Sequence, residues 1–129
     1  MEKKEYYKYL FLLASVWNWA VSILLLGLSL LTPDIITDFG VEIPPSLVFL
    51  QMLFVLVGIF GVGFFIIYMD IENNHGIVQM SVLEKVSFFV VFLIYFIIGD
   101  IGILVFLLVI VDLIFGILFI EFLLNFKNL

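Results

Sequence analysis

Residues 86–124 read VSFFVVFLIYFIIGDIGILVFLLVIVDLIFGILFIEFLL. How this stretch divides sets the number of membrane crossings. A helix rises ~1.5 Å per residue and a bilayer core is ~30 Å thick, so one crossing takes about 20 residues. A continuous helix over 86–124 would be nearly twice as long as required. Gly99-Asp100-Ile101-Gly102 has the chemistry of a turn and divides the stretch into a hairpin. The upstream half is then too short, because the uncharged residues from Val86 to Gly99 make only ~21 Å of helix. Its helix must start earlier, near Gly76 or Ile77, and take Glu84 and Lys85 with it. The downstream half, Ile101 to Leu124, is long enough, but carries Asp112 at its middle and Glu121 near its end.

Two cleaner runs precede the hairpin. Tyr9 to Leu31 is an uncharged run of 23 residues, and Ser46 to Met69 one of 24. The first follows a basic stretch, as a secretory signal would. Its apolar region exceeds the ~7–15 residues of a signal, and no small-x-small cleavage site follows, so it reads as a retained helix. The expected fold is all-α: one integral membrane domain over residues 1–129. It is an antiparallel bundle of four transmembrane helices, with spans near 9–31, 46–69, 77–98 and 101–124.

Composition agrees. Apolar residues make up 66% of the 129 and charged residues 12%, about half the ~25% usual in soluble chains. So small a body has too few polar residues to clothe a water-facing surface. Disorder would need low hydrophobicity and high charge. With no Cys, disulfide scaffolds and thiolate metal sites are excluded. Net charge is −6 and Arg is absent, which argues against a nucleic-acid partner, since phosphate contacts need clustered Lys and Arg.

The lysines give an orientation. Lys3, Lys4 and Lys8 precede the first span, Lys85 follows the second loop, and Lys127 lies at the C-terminus. The first loop has Asp34, Asp38 and Glu42 but no Lys. The positive-inside rule puts both termini in the cytoplasm of a multi-pass inner-membrane protein. Thr32-Pro33-Asp34 in that first loop is a helix start, with a Thr N-cap, Pro at the first position and an acid in the first turn. Ile35, Ile36 and Phe39 would form an apolar face and Gly40 a stop. A short interfacial helix is therefore expected there.

These features together resemble a widespread group of small four-helix membrane proteins of bacteria and archaea, the DoxX-like kind, mostly of unknown function. The resemblance covers most of the chain. It rests on Leu31-Thr32-Pro33-Asp34-Ile35-Ile36 after the first helix and Gly61-Val62-Gly63-Phe64 in the second. Asp70-Ile71-Glu72-Asn73-Asn74, Lys85 and Asp112-Leu113-Ile114-Phe115 complete it. Some DoxX-type proteins are linked to quinone redox systems, so the resemblance implies that a quinone or lipid ligand is allowed.

The polar residues inside the spans are the candidate site. Ionisable groups there cost ~2.5–3.5 kcal/mol each on insertion scales and usually face the bundle interior. Counted from the cytoplasmic end, Asn18, Lys85 and Asp112 lie at roughly 14–18 Å, on one level. In a hairpin about Gly99–Gly102, Asp112 lies opposite Phe89, one helical turn from Lys85. Ser15, Asn18, Ser22 and Ser29 share a face of the first helix, the pattern of a helix–helix seam. Two readings stand. Lys85 and Asp112 form an ion pair braced by Asn18 that only fixes register, or the cluster floors a cavity for a polar head on an apolar body, such as a quinone or lipid. A proton-coupled transporter using Asp112 and a purely structural subunit are the other functional classes.

Tyr68, Asp70 and Glu121 could form a cytoplasmic mouth, with Asp70 meeting Lys85 or Glu121. Gly58 and Gly61 read as packing devices. Trp17 and Trp19 lie near mid-membrane and read as core, lipid contact or cavity wall. His75, the only His, reads as a solvated loop residue. Zinc or haem ligation lacks partners, and HExxH, phosphate-loop and dinucleotide motifs are absent. The chain therefore reads as non-enzymatic and without a metal, although a buried Lys or Asp leaves catalysis open. A second copy or a membrane-complex partner is also left open.

Overall fold

In the computed structural model, which describes residues 2–126, the chain is all-helical. Lys127, the C-terminal lysine of the orientation rule, lies outside the described residues. The helices are α1 (Lys3–Leu31), α2 (Ile35–Asp38), α3 (Val48–Met69), α4 (His75–Ile98) and α5 (Ile103–Asn125). All but α2 are long and apolar enough to cross a membrane. Large apolar side chains such as Ile23, Phe49, Ile97 and Leu124 stand exposed on their outer faces. That surface suits lipid and not water, so the protein is a multi-pass integral membrane protein.

The bundle is two antiparallel pairs. α1 packs chiefly on α3, and α4 on α5, with α3 and α4 touching between them. The α1–α3 seam is the polar stripe of α1. Ser15, Asn18, Ser22 and Ser29 are all buried. Asn18 Nδ2 donates to Val57 O at 3.0 Å and Ser22 Oγ to Phe54 O at 2.6 Å. Ser15 and Ser29 bond back to their own helix, to Leu12 O and Leu26 O. Gly58 and Gly61 let α3 come this close, since a Cβ at either would stand 2.6–2.7 Å from Ser22 or Trp19.

The α4–α5 turn forms as its residues require. Gly99 takes φ +95°, and its N–H and that of Asp100 both reach back to Tyr95 O. This is the left-handed closure that favours Gly after a helix. Phe96 then stacks on Phe106, with ring centroids 4.3 Å apart.

The short helix in the first loop is present, but it begins at Ile35 and lacks the expected Thr cap. Thr32 instead directs its hydroxyl back to Leu28 O at the end of α1. With α1 running to Leu31, that carbonyl is the nearer partner. Gly40, at φ +75°, stops α2 and brings the loop onto the α4–α5 turn, where Phe39 and Gly40 pack against Gly102.

The two ends of the bundle differ. Near the termini, aromatic side chains from three helices fill the space between the pairs: Tyr7 and Phe11 of α1, Phe64 of α3, and Phe119 and Phe122 of α5. Phe11 stacks on Phe119 at 4.8 Å, and Phe122 meets both Tyr7 and Phe11 edge-on. Towards the α2 end the pairs stand apart and a cavity opens.

Candidate functional site

Asp112 lies at the boundary between these two halves. The hairpin register sets Lys85 against Gly116, one turn along α5 from Asp112. A Cβ on Gly116 would stand 3.3 Å from Lys85 Cβ, so the glycine leaves room for the lysine stem. The stem runs along α5, and Nζ donates to Asp112 Oδ1 at 3.0 Å. Lys85 is fully buried, and Asp112 is 21% exposed. The ammonium also faces the rings of Phe64, Phe115 and Phe119, at 5.2, 5.9 and 5.9 Å from their centroids. A charge-assisted hydrogen bond and ring faces are the compensation a buried cation needs.

Glu84 belongs to this group, although charge patterning gave it no role. Its side chain is only 10% exposed, and Oε2 lies 4.0 Å from Lys85 Nζ. That oxygen is buried and has no hydrogen-bond partner among the described residues. Two acids and one base therefore share the interior.

Asn18 does not brace the ion pair. Its amide nitrogen is spent on Val57 O, because α3 comes closer to α1 at this level than α4 or α5 does, and only the amide oxygen is left over. Asn18 and Asp112 instead line the same partly open cavity, of about 200 Å³. All five helices contribute to its wall, including Trp17, Phe39, Phe54, Phe88 and Phe92. Its polar lining is Asn18, Ser29 and Asp112, and the Ser29 hydroxyl is taken by Leu26 O. The cavity is thus an apolar chamber whose free polar groups lie at Asn18 and Asp112. It extends from the cluster towards α2, not towards the termini. Ile35, Ile36 and Phe39 of the first loop turn onto it. In size it exceeds the engineered apolar cavities of about 150 Å³ that hold benzene.

The expected mouth residues do not converge. Glu121 accepts from Tyr7 OH at 3.1 Å. Asp70 accepts from Asn73 Nδ2 at 3.0 Å, while Lys85 is paired with Asp112 and Glu84. Tyr68 lies under Lys8 Nζ, 5.5 Å from its ring centroid. Glu121 and Tyr68 have met partners on α1, and Asp70 one in the turn that follows α3. His75 is not a loop residue. It is the first residue of α4, with Nδ1 buried and unbonded and its ring 4.6 Å from Phe126.

Phe115 and Phe119 were legible in principle, since they follow Asp112 by three and seven residues, on one helix face. The abundance of Phe in the chain hid them. Comparisons with models of protein families, with curated proteins and with solved structures find no match to this chain.

Proposed function

We propose that the protein is a non-enzymatic membrane protein that takes one small amphiphile, of the lipid or quinone class, in the cavity between its helix pairs. The observation that carries this reading is the chamber itself: apolar walls from five helices, closed at one end by aromatic rings, with Asp112 and Asn18 at its floor. An apolar body gains contact along the walls, and a head group meets the few polar atoms that fix orientation. Kinship with the DoxX-like group is part of the proposal, carried by the tracts quoted above. So is an inner-membrane location with both termini cytoplasmic.

Native mass spectrometry of the purified protein, with extraction and identification of bound lipid, tests the function. One ligand per chain is expected. Leu108→Trp, which fills the chamber from α5, is expected to remove it while leaving loosely associated bulk lipid unchanged. Bulk lipid alone in both proteins would leave a structural subunit.

Orientation has its own test. Single cysteines at Asp38, Asn73 and Asp100 are all exposed positions. An impermeant thiol reagent applied to intact cells should label 38 and 100 but spare 73. The reverse pattern would invert the topology.

A further inference from the structure

The charges of the buried set do not sum to zero. Glu84 and Asp112 are acids, and Lys85 is the one base between them. The helices packed around them bring no compensation, since α1 has no charged residue from Tyr9 to Leu31 and α3 none from Val48 to Met69. On α5 the other acid, Glu121, is about two and a half turns further along and bonded to Tyr7. Two like charges out of water cannot both ionise against one counter-charge without penalty. Asp112 holds the hydrogen bond to Lys85, while Glu84 Oε2 is buried without one.

We infer that the set is one positive charge short, and that the deficit is filled by a proton on Glu84 which exchanges against the ammonium head of an amphiphile seated in the cavity with its charge on Asp112. Before binding, neutral Glu84, cationic Lys85 and anionic Asp112 sum to zero. An ammonium arriving at Asp112 adds one charge. The Glu84 O–H bond then breaks, its electron pair stays on the carboxylate, and the proton passes to solvent. The sum is again zero, with one proton released per cation bound. The walls suit such a head, because Trp17, Phe54, Phe88 and Phe92 line the chamber with rings that attract cations. A carboxylate or phosphate head would be repelled by Asp112. This inference rests on the cavity being a ligand site, and it names the head group.

The test uses the full chain in phosphatidylcholine nanodiscs, with dodecylamine, dodecanol and dodecanoate as probes of equal tail. Dodecylamine should bind tightest and release one proton per molecule into a lightly buffered solution. Its affinity should rise about tenfold per pH unit while Glu84 is protonated, as one-for-one competition requires. Glu84→Gln, which mimics the protonated acid and has no proton to give up, should bind the amine far more weakly, with no proton release and no pH dependence. Asp112→Asn should lose the preference for amine over alcohol. Equal binding of amine and alcohol to the unaltered protein, or amine binding without proton release, would overturn the inference and leave the cavity reading intact. If no probe is displaced by Leu108→Trp, both fall.

Discussion

Asp112→Ala, made in a chain that already carries Glu84→Gln, will destabilise the bundle by about 3–5 kcal/mol, because it strands a fully buried lysine. Removing Asp112 alone should cost less. Glu84 Oε2 already stands 4.0 Å from Lys85 Nζ and can take over as counter-ion by ionising. Replacing Lys85 and Asp112 together with Met and Leu should cost least, since the Phe64, Phe115 and Phe119 rings around Nζ accept an apolar side chain. Reversible unfolding in mixed micelles, run as a double-mutant cycle on Lys85 and Asp112, measures this. A coupling well above the ~0.6 kcal/mol average for interhelical hydrogen bonds in membranes is expected. Additive losses would show that the two residues act independently.

Gly40→Ala is the second large effect, expected at about 2–5 kcal/mol from backbone strain and steric overlap together. Gly40 sits at φ +75°, and a Cβ there would stand 2.6 Å from Gly102 Cα and 2.7 Å from Gly102 N. Those are backbone atoms of the α4–α5 turn, so no side chain can swing away to make room. The two segments must separate. Two other glycines divide the causes. Gly99→Ala carries strain alone, because φ is +95° and nothing lies near its Cβ; about 1–2 kcal/mol is expected. Gly102→Ala carries overlap alone, at 2.7 Å from Phe39 O and without a positive φ. Gly40→Ala should exceed both. Because Phe39 and Ile36 wall the chamber, the same variant should lengthen the distance between spin labels at Asp38 and Asp100. An unchanged distance would mean that the loop is held to the bundle by other contacts.

Much of the fold was legible along the chain because its causes are local. The length of an uncharged run against the thickness of a bilayer decides whether a helix crosses, and this gave four crossings. Gly99 closes α4 through its own dihedral angle, and the turn in turn sets the hairpin register that brings Lys85 within one turn of Asp112. The seam of Ser15, Asn18, Ser22 and Ser29 was visible because polar residues on a membrane helix stand out against an apolar background.

Partner choice was not local. Asn18 was expected beside Lys85 and Asp112 but bonds Val57 O. Glu84 was carried into the membrane by helix length, yet its place beside Lys85 depends on the rotation of α4. α3, α4 and α5 are apolar on nearly every side, so their sequences scarcely mark which face turns inward. Rotation is then settled by packing: Gly58 and Gly61 against α1, Gly116 against Lys85, and the Phe side chains wedged between α1, α3 and α5. The number of crossings and the common level of the polar groups follow from run lengths and helix rise alone. That rings fill one end and leave a chamber at the other emerges first in the packed bundle, because it depends on how side chains from distant segments fill a common volume.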